Sequence, residues 1–299
     1  MALLTRTSAI IALLVATSLR AEDTILVLRS RDLPQYNEAA VGFKRAWRGA
    51  PVQTYTLPQA VNVRATAVVA VGTEATQWAI KNTSGPVVFC IVANADRNVL
   101  SGLNAIDAAR VRGVSLDIPA MTQLRALSVY VTKVKRVGVL YDPLKSGAAV
   151  QEMEQAAASM GIHLVKQEIT CDSSLSKATS GIASQIDVLW APLDSTVYSS
   201  RNAQFVLTQM LQRKVPVMGF SENMVKAGAL LGLRLDYADM GRQTAALLQA
   251  ALKGDTLAGG AVEPPKTYSV VINHNVQEAL GNPIPPSALE AARFIDHED

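Results

Sequence analysis

Short apolar runs recur along the chain and predict a series of β-strands. Several of them, such as VVFCIV at residues 87–92, are apolar without interruption, which is typical of strands buried on both faces of a parallel sheet. Eleven strands are predicted in this way, at residues 24–28, 52–57, 68–72, 87–92, 112–116, 137–141, 163–169, 188–192, 215–220, 230–235 and 268–273.

Amphipathic helices are predicted between the strands. Residues 36–47 carry apolar side chains at helical spacing. A second helix is expected to begin at a Ser146 cap and to end at Gly161, and a third to begin at an Asp236 cap and to end at Gly254. We interpret the apolar stripes of these helices as surfaces that face the core.

This alternation of strands and helices predicts an α/β fold with parallel sheets. Eleven strands are too many for one modest sheet and do not divide into the eight even units of a (β/α)₈ barrel. The pattern breaks near Asp117-Ile118-Pro119, where a strand ends and a long helix begins. We therefore expect two doubly wound parallel-sheet lobes, with the ligand outside the carboxyl ends of the strands.

The first residues have the features of an export signal. In residues 1–21, Arg6 precedes an apolar core, and Ala21 comes directly before the acidic Glu22. This pattern predicts a secretory signal peptide cleaved near Ala21; the alternative is a membrane anchor, but the apolar run is shorter than the ~20 residues that a spanning helix needs. The chain is expected to be periplasmic or otherwise exported, and soluble after cleavage.

Composition and charge narrow the classes of function. The chain of 299 residues is 49% hydrophobic and 18% charged, which allows a packed core. Its net charge of +3 is not gathered into a basic run, so nucleic acid is not an expected partner. Removing residues 1–21 takes away Arg6 and Arg20 and no acidic residue, which leaves the mature chain close to neutral.

Few residues are available for metal or redox chemistry. The three histidines are scattered, and the two cysteines cannot form a disulfide framework, so neither a metal site nor a cofactor is predicted. Cys90 lies in an apolar strand and is expected to be a buried hydrophobe. Since Cys171 follows a strand assigned to the other lobe, both thiols are predicted to be unpaired.

Polar residues follow five of the predicted strands and are the candidates for a ligand site. Each group has a simpler interpretation as a helix cap or a turn, but together they place hydroxyls and amides in the first half of the chain and carboxylates in the second. That distribution suits a zwitterion held between two lobes. The candidates are Gly72, Thr73, Ala93, Asn94, Tyr141, Asp142, Asp194, Ser195, Thr196, Ser221 and Glu222, with Tyr141 and Trp190 also available for stacking.

Several stretches resemble the periplasmic substrate-binding proteins of ABC importers, in the branch that includes the tryptophan- and tyrosine-type binding components. These stretches are VVAVGTEATQ, KRVGVLYDP, DVLWAPLDSTV, VPVMGFSENMVKAGALLGLRLDYADMGRQTAALL and PPKTYSVVINHNVQEALGNPIPPSAL. The resemblance implies a type I periplasmic-binding fold with three crossovers. Lobe 1 would hold residues 22–116 plus 237–259, lobe 2 would hold 117–236 plus 260–299, and hinges would lie near Asp117, Asp236 and residues 259–263.

The resemblance also implies roles for individual residues. Thr73 and the Ala93-Asn94 turn match positions that take a ligand carboxylate, and Glu222 matches the residue that takes the α-ammonium. Many relatives have a Gln/Glu-His-Pro stretch after the first strand; here Arg29 and Arg31 stand there, which would favour a more anionic ligand. The positions that match the ligand-facing loops of lobe 2 are Asp142, Asp194, Ser195 and Thr196.

The implied partners are a small-molecule ligand and membrane permease subunits, with the protein itself a monomer and not an enzyme. Two alternatives stay open: a sensor that presents its closed form to a membrane receptor, and a serine hydrolase using Ser221, Asp236 and His274. The hydrolase motif G-x-S-x-G lacks its closing glycine, because Asn223 stands there. A transcription regulator would need a DNA-binding helix pair where the signal peptide lies.

Overall fold

The computed structural model describes residues 24–59, 65–94, 99–255, 262–281, 284–285, 288 and 292–295. The predicted signal peptide lies outside the described residues, and so do residues 259–261 of the third predicted hinge.

All eleven predicted strands are present, and two short strands were not predicted. The first six are β1 (Ile25–Arg29), β2 (Val52–Thr56), β3 (Ala67–Val71), β4 (Val87–Val92), β5 (Val111–Ser115) and β6 (Arg136–Tyr141). The next four are β7 (His163–Glu168), β8 (Val188–Trp190), β9 (Val217–Gly219) and β10 (Leu231–Leu235). The last three are β11 (Val262–Glu263), β12 (Tyr268–Asn273) and β13 (Ala292–Ile295), of which β11 and β13 are the unpredicted ones.

The strands form two sheets, as the α/β prediction requires. The first has the order β11-β5-β4-β3-β1-β2 with every pair parallel. The second has the order β13-β12-β10-β9-β8-β6-β7, in which only the β10–β12 pair is antiparallel. Each sheet reverses its strand order next to its first strand, between β1 and β3 and between β6 and β8, which is the point where doubly wound sheets bind ligands.

Helices cover both faces of each sheet. They are α1 (Pro34–Ala46), α2 (Thr73–Asn82), α3 (Ala105–Arg110), α4 (Ala120–Tyr130), α5 (Pro143–Ser159), α6 (Asp172–Ala183), α7 (Ser200–Gln212), α8 (Glu222–Lys226), α9 (Tyr237–Lys253) and α10 (His274–Leu280). Alternate residues of β1 enter different cores: Ile25 and Val27 pack with α1 and α9, whereas Leu26 and Leu28 pack on the α2 side. The uninterrupted apolar runs follow from this two-sided burial.

Helices α1 and α9 touch backbone to backbone, which ties a late segment of the chain to the first sheet. A Cβ atom at Gly42 would collide with the Ala238 carbonyl, and one at Gly241 would collide with the Ala39 carbonyl. Met240 and Leu248 of α9 are buried in the same core as Phe43 of α1. The chain therefore returns to the first lobe after β10.

The division into lobes differs from the predicted one at one place. The prediction assigned residues 260–299 to lobe 2, but Val262 and Glu263 pair with Gly113 and Val114 of the first sheet. The chain therefore crosses to the second sheet between β11 and β12. A strand of two residues has too little pattern to be recognised from sequence, since its pairing alone defines it.

One predicted cap is also in a different place. Ser146 does not begin a helix: Asp142 is the cap of α5, its side chain accepting a hydrogen bond from the Leu144 N–H, and Ser146 lies one turn inside. Pro143 at the first helical position agrees with this start. The predicted Asp236 cap is confirmed, and so are the helix ends at Gly161 and Gly254, both in the left-handed conformation.

Candidate functional site

A cleft of about 980 Å³ lies between the two lobes. The three segments that cross between the lobes form part of its lining. They contribute Leu116–Pro119 between β5 and α4, Leu235 and Tyr237 between β10 and α9, and Val262–Pro264 before β12. Any change in the angle between the lobes would therefore act directly on this cleft.

The second lobe contributes an ion pair to the cleft. Ser221 caps α8, its Oγ accepting a hydrogen bond from the Met224 N–H at 3.3 Å. This cap holds the start of α8, and with it Glu222, at the cleft wall. The Glu222 carboxylate lies 3.0 Å from Arg234 Nε and 3.7 Å from Lys226 Nζ. Glu222 is thus available to the cleft but is already paired with cations of its own lobe.

Tyr237 and Glu38 continue this wall across the crossover into the first lobe. Glu38 is exposed on α1, and Tyr237 is the first residue of α9; both line the cleft. Burial raises the pKa of the Tyr237 hydroxyl, the carboxylates of Glu38 and Glu222 raise it further, and Arg234 lowers it. Charges from both lobes therefore act on one phenol, which keeps its proton at neutral pH.

A hydrogen-bonded link connects the first crossover to the second sheet. Trp190, at the end of β8, donates from its indole N–H to Gln123 Oε1 at 2.8 Å. Gln123 in turn donates from its side-chain amide to the Ile118 carbonyl at 2.7 Å. Trp190 is only 2% exposed, so this ring forms a fixed part of the cleft wall rather than a mobile one.

The turn after β4 reaches the cleft through an irregular strand end. Ile91, a β-branched residue, has φ +57° at a β-bulge, and Asn94 has φ +47°. The Asn94 N–H donates to the Asp117 carboxylate at 2.7 Å, and the Ser115 hydroxyl donates to the same oxygen at 2.6 Å. A carboxylate of the protein therefore occupies the backbone N–H at which a ligand carboxylate was predicted.

Gly72 and Thr73 lie at the start of α2, as predicted, but are not among the described residues that line the cleft. Gly72 has φ +94°, and the Ser30 hydroxyl oxygen accepts a hydrogen bond from the Ala75 N–H at 2.9 Å. The side chain of Glu74 lies at the same helix start. Its pKa is lowered mainly by the hydrogen bond from Arg31 at 2.8 Å, which outweighs burial, and hydrogen bonds from the Glu74 N–H and from Ser30 lower it further. At the start of this helix, the N–H groups of Glu74 and Ala75 thus have partners within the protein.

Asp194 joins the two loops at the point where the second sheet reverses its strand order. Its carboxylate, 1% exposed, accepts hydrogen bonds from the Asp142 N–H (2.7 Å), the Ser146 hydroxyl (2.6 Å), the Thr196 N–H (2.9 Å) and the Val197 N–H (3.0 Å). Asp194 does not begin a helix, because residues 195–198 form turns and Ser199 caps α7. All four acceptor positions of the carboxylate are occupied within the lobe.

Asp142 and Thr196 belong to the same internal network. The Thr196 hydroxyl donates to Asp142 Oδ2 at 2.8 Å, and this bond, followed by that from the Leu144 N–H, lowers the pKa of Asp142. Tyr141 is buried at the end of β6 and donates to Glu168 at 3.1 Å. Ser195 is exposed. None of these residues is among the described lining of the cleft.

Of the eleven predicted ligand residues, Asn94, Ser221 and Glu222 line the cleft, together with the stacking candidate Trp190. Arg29 and Arg31 pair with Asp32 and Glu74 and do not line it. The prediction considered strand ends and overlooked charged residues on helices and at the end of β10. The charged or polar lining residues that the prediction overlooked include Glu38, Gln123, Lys145, Glu152, Arg234 and Tyr237.

The serine-hydrolase arrangement is not assembled. Ser221 caps α8, Asp236 caps α9 and pairs with Arg242, and His274 pairs with Glu278 at 3.3 Å. In the part of the chain that the structure describes, no hydrogen bond joins any two of these three side chains. The order Ser-Asp-His in the sequence therefore does not correspond to a triad geometry.

The two cysteines are unpaired, as their predicted placement in different lobes requires. Cys90 is buried and Cys171 is exposed. Burial raises the pKa of the Cys90 thiol to about 12.

Within the described ranges there is no cluster of three or more potential metal-ligating side chains. No helix among the described residues is both long and apolar enough to cross a membrane.

The chain is similar to known proteins over most of its length. The family model of ABC transporter substrate binding proteins matches residues 30–294. A tyrosine-binding protein from Clostridioides difficile (strain R20291) is 22% identical over 260 residues, which cover 86% of this chain and 74% of that protein.

Three solved structures share the fold. The first, a conserved domain protein from Vibrio cholerae, is 25% identical with a TM-score of 0.60, covering 91% of this chain and 99% of that one. The second is the ligand-free, open structure of a substrate-binding protein with adhesive properties from Clostridium difficile. It is 20% identical with a TM-score of 0.74, and the match covers 92% of this chain and 100% of that one. The third, an ABC domain in complex with L-Trp from Streptococcus pneumonia, is 23% identical with a TM-score of 0.60, covering 91% and 100%.

Proposed function

The chain belongs to the ABC transporter substrate-binding protein family, and from this premise we propose that it captures an amino acid or a related amine between its lobes for delivery to a membrane permease. The observation that carries the proposal is the cleft itself. It is lined by both lobes and by all three crossovers, so a solute bound there touches every part that moves when the lobes close.

Glu222 is the residue proposed to hold the ammonium group. Its carboxylate lines the cleft, and it follows a strand of the second sheet at a capped helix start. The nearby Arg234 gives it a partner when no ligand is present, so the Glu222 carboxylate keeps a cationic partner in both the empty and the loaded protein.

Aromatic side chains give the cleft an apolar surface for the rest of the solute. Trp190 and Phe220 come from the second lobe, and Tyr237 comes from the second crossover. Rings of this kind pack against apolar or aromatic side chains of a ligand. The relative named as a tyrosine-binding protein and the fold shared with an L-Trp complex support an aromatic amino acid as the first solute to test.

Export and a membrane partner complete the proposal. Residues 1–21 would direct the chain out of the cytoplasm, and the mature protein would act as a monomer that a permease recognises when closed. If the adjacent genes encode a permease and an ATPase, import is supported; a neighbouring receptor kinase without them would favour solute sensing instead.

Binding and closure can be measured on the mature chain. Protein purified without refolding is examined by native mass spectrometry for a co-purified ligand and then titrated with amino acids and amines in a thermal-unfolding assay. A ligand raises the melting temperature by mass action, and small-angle scattering should show a smaller radius of gyration in its presence. A panel without any thermal shift, or binding without compaction, would contradict capture by lobe closure.

A further inference from the structure

The charged side chains that line the cleft are mostly acidic, although the mature chain as a whole is close to neutral. Among the described lining residues, the cations are Lys145 and Arg234. The five carboxylates are Glu38, Asp117, Glu152, Glu222 and Glu263. A cleft with one dominant sign of charge between walls of low dielectric constant concentrates its field on whatever enters, so the potential here favours a positive solute.

Among the residues that the structure describes, two of the five carboxylates pair with cations and three do not. Glu222 pairs with Arg234, and Glu263 pairs with Lys266 at 3.1 Å. Asp117 accepts hydrogen bonds from the Asn94 N–H and the Ser115 hydroxyl, and Glu152 accepts one from the Ala120 N–H at 3.0 Å. For Glu38, no ion pair occurs among the residues that the structure describes.

These carboxylates are divided between the lobes. Glu38 stands on α1 of the first lobe, whereas Glu152 and Glu222 stand on α5 and α8 of the second. A cation held between Glu38 and one of these two carboxylates contacts both lobes at once, so it stabilises the closed form more than the open one, as a ligand that drives closure must.

Two backbone positions suited to a ligand carboxylate are already occupied by carboxylates of the protein. The Asn94 N–H donates to Asp117, and Glu74 takes its own backbone N–H at the start of α2. A solute carboxylate would have to displace a carboxylate of the protein at either place. An amine has no such competitor at Glu38, and the rings of Phe220 and Tyr237 add a favourable surface for a cation.

We propose that the solute carries a net positive charge at neutral pH, as a basic or carboxyl-free amine does, and that Glu38 is the residue that selects for this charge. The inference rests on the proposed function, since it assumes that the cleft is the solute site. It goes further by naming the charge class of the solute and a residue of the first lobe.

The test uses compounds that differ in charge but hardly in shape. For tryptophan, tyrosine, leucine and lysine, binding of the parent, its carboxamide and its N-acetyl derivative (for lysine, the derivative acetylated on both amines) is measured by calorimetry at low salt. Removing the carboxylate charge should tighten binding about tenfold, removing the ammonium should abolish it, and added salt should reduce the gain from the carboxamide.

Two variants assign the effect to a residue. Glu38→Gln keeps the shape of the side chain and should reduce the preference for the carboxamide about fivefold. Glu278→Gln removes the same charge from an exposed position outside the cleft lining and should leave that preference within about twofold of wild type. Equal preference in wild type and Glu38→Gln would refute the role of Glu38.

The outcomes separate the two proposals. If parents bind more tightly than their carboxamides, the net-charge inference is wrong while the proposed function stands. If no compound in any series binds, the proposed amino acid or amine site is itself wrong, and the inference falls with it.

Discussion

The carboxylate of Glu222 lies 3.0 Å from Nε of Arg234, and both side chains line the cleft between the lobes. Glu222 begins α8 and Arg234 lies in β10, so both belong to the second lobe. Their pairing does not depend on the angle between the lobes. The pair therefore persists in the open protein and must be shared with, or exchanged for, a ligand ammonium.

This relationship predicts opposite results for its two members. Glu222→Gln removes the charge that holds the ammonium and should weaken binding of the best solute about tenfold or more. Arg234→Gln removes the competing cation and should leave affinity unchanged or raise it about threefold. Calorimetric titration of both variants with the same solute checks this, and an unchanged affinity in Glu222→Gln would contradict the ammonium role.

Asp194 is predicted to matter for stability. In Asp194→Asn one carboxylate oxygen becomes an NH₂ group that cannot accept hydrogen bonds, so buried donors lose their partner, which should cost about 2–4 kcal/mol of unfolding free energy. Urea denaturation followed by circular dichroism measures this cost. Asp32→Asn, at a side chain that is 74% exposed, is the matched control and should change stability by less than about 0.5 kcal/mol. Equal costs in the two variants would contradict the buried network.

Gly72 is predicted to tolerate no side chain. A Cβ atom there would lie 2.6 Å from the Ser30 hydroxyl oxygen, at φ +94°, so Gly72→Ala should destabilise the protein by about 1–3 kcal/mol. Gly147 in α5 has open space around its Cβ position, and Gly147→Ala should stabilise the protein by about 0.5–1 kcal/mol. Thermal unfolding of both variants would show shifts of opposite sign; a destabilised Gly147→Ala would count against the control.

We expect Asp187 to contribute to the loss of stability of the second lobe at acidic pH. Burial raises the pKa of this carboxyl, but the N–H groups of Lys135 and Arg136, each at 2.8 Å, outweigh burial and bring the pKa below its ordinary value. A carboxyl with a lowered pKa contributes stability above its unfolded-state pKa of about 4 and loses it as the pH falls through the lower folded value.

Asp187→Asn should therefore be less stable than wild type at pH 7, and the difference should narrow below about pH 4. Urea denaturation curves of both proteins at pH 7.5, 5 and 3 measure this. A difference that is the same at all three values would show that the charge of Asp187 has no part in the effect.

The strands were predictable because burial on both faces leaves a local pattern. The run 87–92 is continuously apolar, and each of its residues is buried in the first sheet. β11 and β13 leave little such pattern, since they are short strands defined by the neighbours to which they pair. The assignment of Val262 and Glu263 to the first sheet follows from that pairing.

The candidate site was predictable in place but only partly in its residues. Glu222 and Asn94 follow strands, and the edge of the sheet brings them to the cleft. Asp194 follows a strand as well, yet it caps turns inside its lobe, because the fold of its loop turns the carboxylate towards Asp142 and Ser146. Helix caps and ligand-binding sites use the same polar residue types, so the sequence alone does not distinguish them.

The sequence by itself determined the order of eleven strands, the α/β architecture and the family, because these depend on periodic burial and on contiguous motifs. The tertiary structure alone decided which polar side chains face the cleft. Glu38 reaches it from a helix of the first lobe, whereas Glu222 and Arg234 reach it from the second lobe, and the three crossovers bring the two lobes to one cleft. Charge at a site is a sum over residues that only folding brings together.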